Sequence, residues 1–291
     1  MAGSSQPPAP EPLAESLSLA LPHVTVAAQL HGPRDGVPVV ALHGWLDNAA
    51  SFSRLAAKLP GLRILALDLP GHGLSGHRPP GLGYHLWEYA HDVLMAAEAL
   101  GWQRFSLLGH SMGAIVSVLL AGSMPERIAR VGLIDGVLPQ TGAPSRSPER
   151  LGQALRRSLR SRERKPLYPS IDDAVRARMG AGYPVSREAA ERLTERGLVA
   201  IEGGFTWRSD PRLLAPTPMR LSDEHAKAFI AEVRCPVRLI LAEQGIYADA
   251  AEQMAALPFE CCWLPGGHHL HLDDETGADA VAAALLGFFS D

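Results

Sequence analysis

Phe105-Ser106-Leu107-Leu108-Gly109-His110-Ser111-Met112-Gly113 is an apolar run that ends in Gly-x-Ser-x-Gly, and an apolar stretch at helical spacing follows at once over residues 112–123. A strand that passes directly into a helix must turn so sharply that its flanking backbones nearly touch, so only small residues fit on either side of the central serine. That serine is held in a strained conformation with its Oγ raised above the sheet. The first N–H groups of the following helix point at the same spot, where they stabilise a developing oxyanion. Gly-x-Ser-x-Gly alone arises by chance. In this strand–turn–helix setting it reads as a nucleophile, Ser111, rather than an incidental serine in a glycine-rich turn.

Outward from this turn, short apolar runs alternate with helical periods. Strands are expected at residues 16–21, 24–30, 37–42, 63–67, 105–108, 128–134, 237–241 and 260–264, and helices at 49–59, 84–100, 112–123 and 276–289. The runs at 37–42 and 63–67 are continuously apolar, as in strands buried on both faces. The expected architecture is α/β, a mostly parallel eight-stranded sheet with helices on both faces. Residues 136–225 break the alternation. They lack strand runs and are rich in Arg, Pro and Gly, which indicates a helical cap inserted after strand 6. Within it, Ser147-Pro148-Glu149 is a helix start, with Leu151, Leu155 and Leu159 on one face expected to pack beneath, and a second helix is expected over 187–196. The core is then 16–135 plus 226–291, preceded by a proline-rich disordered arm at 1–15 with four prolines in its first twelve residues.

An activated serine needs a base, an acid that orients the base, and two oxyanion donors. The donors expected from position are the backbone N–H groups of Met112 and of Trp45, which follows His43-Gly44 at the end of a buried strand. His43 reads as a loop-holding residue, and Asp68 and His72 as turn-stabilising. The base is expected after the last strand, in Pro265-Gly266-Gly267-His268-His269-Leu270-His271, where His268 follows the glycine pair and His269 and His271 compete with it. No carboxylate or cysteine stands at metal-ligand spacing from this cluster, so no metal is expected. The acid departs from the common plan. The slot after residues 237–241 falls on Gly245, with Glu243 close by and Asp249 further on. Asp135, at the end of the strand before the insertion, is the other solution, with Glu243 as the alternative acid.

The 291 residues are 46% hydrophobic with a net charge of −4, a balance that does not point to nucleic acid or an anionic membrane as partner. Residues 144–165 carry eight Arg/Lys against two Glu, read as a solvated helix face because no aromatic interleaving supports base stacking. The three cysteines, two of them adjacent, read as reduced. No Sec signal and no membrane span are expected, which places the chain in the cytoplasm, as a monomer or homodimer.

The chain resembles the α/β-hydrolase fold-1 superfamily, and within it the serine hydrolase-like proteins, over roughly residues 25–290. The resemblance rests on His43-Gly44-Trp45-Leu46-Asp47-Asn48 with Phe52, on Gly109–Gly113, on Glu195-Arg196-Gly197 leading to Trp207-Arg208-Ser209-Asp210-Pro211-Arg212, and on residues 265–271. It implies the α/β-hydrolase fold with a cap and carries over Ser111, His268 and Asp135. It also implies that the blank at Gly245 is usual in this group. The expected function is a cofactor-free serine hydrolase acting on a small or medium apolar carboxylic ester or thioester, with Trp45, Met112, Phe205 and Trp207 as pocket walls. Lactone or carbon–carbon hydrolysis by the same groups, or a non-catalytic binding or scaffold protein, are the alternatives.

Overall fold

The computed structural model describes residues 14–160 and 165–290. All but the last two residues of the expected arm lie outside the described residues. The strands are β1 (Glu15–Ala20), β2 (Thr25–His31), β3 (Val37–Leu42), β4 (Leu62–Leu67), β5 (Phe105–His110), β6 (Ile128–Ile134), β7 (Leu198–Ile201), β8 (Gly204–Trp207), β9 (Val237–Gln244) and β10 (Glu260–Gly267). Eight of them form one sheet in the order β1-β2-β4-β3-β5-β6-β9-β10. β2 runs antiparallel to both its neighbours, and every pair from β4 to β10 is parallel. Parallel pairing requires crossovers, and these carry the helices to both faces.

The helices are α1 (Ser53–Ala56), α2 (Leu86–Ala99), α3 (Met112–Ser123), α4 (Ser147–Arg160), α5 (Ile171–Met179), α6 (Arg187–Gly197), α7 (Asp223–Glu232), α8 (Ala251–Ala255), α9 (Leu270–Asp273) and α10 (Glu275–Leu285). One apolar cluster joins α2 and α3 to the first face of the sheet, where Val40, Leu42 and Leu107 are fully buried. The second face packs Val39, Ala41 and Leu108 against α10 residues such as Val281 and Leu285. Alternate residues of the same strands serve opposite faces, so β3 and the Leu107-Leu108 centre of β5 are apolar on both sides.

Several sequence expectations are corrected. The segment 49–59 is a 3₁₀ turn (Ala49–Phe52) followed by the single turn α1, and the last helix stops at Leu285 before Gly287 at φ 75°. Residues 136–225 do contain strands: β7 and β8 form a hairpin closed at Gly203 and Gly204, both at positive φ. Four-residue strands are too short to leave a period in the sequence. Helix α5 was also unexpected, although Ser170 and Asp173 form its capping box. The three cap leucines are not packed beneath α4: Leu151, Leu155 and Leu159 are 41%, 56% and 87% exposed.

Helices α5 and α6 have a small core of their own, in which Val175, Ala190 and Leu193 enclose Leu272 from α9. Polar latches hold this part of the insertion to the sheet domain. Asp68, fully buried, accepts from the backbone N–H groups of Ala49 (2.7 Å) and Leu74 (2.7 Å) and from Arg196 Nε at 2.9 and 3.0 Å. Asn48 Nδ2 donates to the Leu193 carbonyl at 2.9 Å. Removing one member of a buried ion pair strands its partner, at a cost of about 3–5 kcal/mol. Asp68→Ala is therefore expected to lower the unfolding free energy by about that amount, read as a lower urea midpoint. An unchanged midpoint would show that the Arg196 latch contributes nothing.

Candidate active site

β5 ends at His110, and α3 begins at Met112, so Ser111 alone makes the turn, at φ 51° and ψ −115°. A Cβ on Gly113 would collide with the Leu42 carbonyl of β3, and one on Gly109 would meet Ala114 of α3. The spacing of the glycines is thus a consequence of backbone packed on backbone. Ser111 belongs to a set of three non-glycine residues at positive φ among the described residues, with Leu46 (64°) and Asp135 (40°). Each such residue costs on the order of 1–3 kcal/mol and needs surrounding structure to hold it. All three converge on one place, at the C-terminal ends of β3, β5 and β6, where open α/β sheets bind ligands.

His268, at the end of β10, links two of them. Its Nδ1 lies 2.6 Å from Asp135 Oδ2, and its Nε2 lies 2.9 Å from Ser111 Oγ. Because a carboxylate only accepts, Nδ1 carries the proton, and Nε2 is left to accept from the serine hydroxyl. Asp135 is fully buried and also accepts from the backbone N–H groups of Ala242 (3.2 Å) and Ile246 (3.0 Å). A Cβ on Gly245 would overlap the Asp135 carboxylate. The blank in the late-strand slot is therefore the space that this carboxylate fills from the neighbouring strand. Glu243, the alternative acid, is exposed at the end of β9.

The other expected residues divide. Met112 opens α3, where the first N–H groups have no intrahelical acceptor. Trp45 and Trp207 border the cavity that holds Ser111, but Phe205 does not. Phe205 exchanges backbone hydrogen bonds of 2.8 Å with Tyr168. The Met112 side chain borders a second cavity instead. His43 is a fully buried loop-holder: Nδ1 donates to the Gly44 carbonyl at 2.7 Å and Nε2 accepts from Leu69 N–H at 3.0 Å.

Four site residues escaped the sequence reading. Leu46 is betrayed only by its φ. Tyr183, between α5 and α6, lays its ring 4.3 Å from that of His268. Asp47 and Arg178 meet across 131 residues at 2.8 Å, linking the loop after β3 to cap helix α5. Asp47 also lies 3.1 Å from His269 Nε2 and 3.9 Å from His110 Nδ1. This brings a carboxylate to the histidine cluster that sequence spacing had kept apart from one. The three donors stand within 4.8 Å of one another, but Arg178 Nη2, 3.2 Å from His269 Nε2, already supplies the cation there. Burial alone would raise the Asp47 pKa, yet His269, Arg178 and His110 together hold it well below the usual carboxylate range.

A family model of the alpha/beta hydrolase fold matches residues 37–162. A serine hydrolase-like protein of Danio rerio is 31% identical over 292 residues, 94% of this chain and 88% of its own length. Serine hydrolase-like protein 2 of Homo sapiens is 30% identical, with 94% of each chain covered. A crystal structure of a hypothetical protein from Pseudomonas aeruginosa PAO1 is 59% identical and superimposes with a TM-score of 0.93, covering 95% of this chain and 100% of that one.

Burial also holds several imidazoles neutral. It lowers His43 to about 4 and His72 and His271 to about 3, and it pushes His110 well down, with the neighbouring histidines adding to the shift. The unfolded chain binds protons on these groups below about pH 6.5, whereas the folded chain does not. Their contribution to stability is complete above that pH and is lost as pH falls toward 4. Each imidazole removes about 1 kcal/mol per pH unit over this window. The urea midpoint is expected to drop sharply between about pH 7.5 and pH 5, and equal midpoints would contradict this account.

Proposed function

The chain belongs to the serine hydrolase-like proteins of the α/β-hydrolase fold, and from that membership we propose that it cleaves carboxylic esters or thioesters of an apolar acid through an acyl-enzyme on Ser111. The observation that carries this reading is the unbroken line from Asp135 through His268 to Ser111, at 2.6 and 2.9 Å. His268 Nε2 takes the hydroxyl proton as Oγ bonds to the carbonyl carbon. The carbonyl oxygen, now an alkoxide, is held by the N–H groups of Met112 and Trp45. Asp135 stabilises the imidazolium and keeps its tautomer. The imidazolium then protonates the leaving alcohol or thiol as the tetrahedral carbon collapses. Water, deprotonated by the same Nε2, repeats the cycle on the acyl-enzyme and frees Ser111.

The cavity beside Ser111 supports an apolar substrate. It has a volume of about 240 Å³ and its walls include Trp45, Leu46, Tyr183 and Trp207. A non-catalytic binding protein drew its support from the missing late acid. With the Asp135 carboxylate filling the space beside Gly245, no observation favours that alternative.

A fluorophosphonate probe is expected to label the native protein and not Ser111→Ala. Folded native protein that stays unlabelled would sink the proposal. Among esterase measurements, Asp135→Asn keeps the shape of the acid and tolerates its positive φ, and a roughly ten-thousandfold loss in kcat is expected from the wrong imidazole tautomer. Glu243→Gln is expected to leave kcat within about twofold. The reverse pattern would move the acid to Glu243.

A further inference from the structure

Ser111 lines one of two cavities that share Trp45 as a wall, and its neighbour Met112 lines the other. The first holds Ser111 and His268. The second, about 410 Å³, lies between the start of α3 and helix α4, and its walls include Met112, Ile115, Trp87, Leu151 and Leu155. Trp45 borders both, and its Nε1 donates to the Leu213 carbonyl at 3.2 Å, which anchors the indole. Met112 contributes to each side of the reaction in a different way: its amide is the proposed oxyanion donor, and its side chain is a wall of the second cavity. The first cavity alone is smaller than the roughly 300–1,000 Å³ of ordinary ligand sites, and the two together fall within that range.

The second cavity is open; its wall is mostly apolar, with Gln140, Arg212 and Arg220 among its polar members. Met112 and Ile115 stand three apart on α3, and Leu151 and Leu155 stand four apart on α4, so each pair presents one helix face to it. Trp45, Trp87, Leu151 and Leu155 are all large apolar side chains left substantially exposed around this groove. Such a concentration marks a binding surface rather than ordinary scatter.

The geometry points to a division of labour, and we propose that the second cavity binds the acyl chain of the substrate, an unbranched alkyl chain of medium to long length, while the leaving group occupies the first. This rests on the hydrolase reading above. The orientation follows from proton transfer. His268 must reach the leaving oxygen or sulfur to protonate it, and His268 borders only the first cavity of the two. The acyl carbon carries its chain away from the leaving group, and the open space on the Met112 side of Ser111 is the second cavity. Leu151 and Leu155 on α4, exposed along the groove, gain a partner when the chain is bound.

The test is kcat/KM for p-nitrophenyl acetate, hexanoate and decanoate, measured on the native protein and on two variants checked for folding by circular dichroism. Leu155→Glu places a charge at an exposed groove position that folding does not need, and Ile115→Trp fills the groove from the opposite wall. Each methylene buried contributes roughly fourfold, so burial of about three or four of the additional methylenes of decanoate gives an expected decanoate-to-acetate ratio on the order of a hundredfold in the native protein. Each variant is expected to reduce that ratio at least about tenfold. A native ratio at or below one, or a ratio that stays within twofold in both folded variants, overturns the acyl-groove assignment while leaving the esterase reading intact. Absence of turnover on every ester, with Ser111 unreactive to the phosphonate, overturns both.

Discussion

A serine can stand above a parallel sheet only if the chain reverses within one residue, and such a reversal forces backbone against backbone. At Ser111 the contacts are Gly113 on the Leu42 carbonyl, Gly109 on Ala114, and Gly136 on Ser111 itself. These approaches tie β3, β5, β6 and α3 into one rigid corner. The elbow thereby fixes where the helix N-terminus points and where a base and an acid must arrive. Of the other strained residues, Asp135 directly follows β6 and Leu46 lies in the loop after β3. The strain is local and the structure that holds it is the sheet, whose central strands are buried on both faces.

Buried charge performs a second task. Two carboxylates of the sheet domain, Asp47 and Asp68, each accept an arginine of the insertion, Arg178 and Arg196. Such pairs contribute little net stability against well-packed apolar groups, but they tolerate only one arrangement of their partners. Asp47 and Asn48 belong to the loop that follows β3 and carries Trp45, the proposed oxyanion donor. The position of α5 and α6 is thus coupled to the geometry of that loop through Arg178 and through the Leu193 carbonyl. Burial keeps His110 and His271, beside these groups, neutral.

Much of this was legible in the chain itself. Ser111 and the parallel α/β order follow from local patterns: a strand, a tight turn and a helix within about twenty residues, repeated at regular spacing. His268 follows from its place after the last strand and the glycine pair. What was misread has a common cause. Leu151, Leu155 and Leu159 have the spacing of a packed face, but spacing does not say whether anything lies opposite. Phe205 has the character of a pocket wall and serves instead in a hairpin too short to announce itself.

Local sequence determined the turn, the element order and the place of the proposed nucleophile, because these depend on neighbours within a few residues. Tertiary structure alone shows which carboxylate reaches His268. Asp135 and Gly245 are 110 positions apart in sequence, yet β6 and β9 pair side by side, and a carboxylate from one occupies the volume that a side chain on the other would need. The same holds for Arg178 on Asp47 and for Tyr183 over His268. Contacts between segments so far apart are set by strand order and by the seating of the insertion, and neither leaves a period in the sequence.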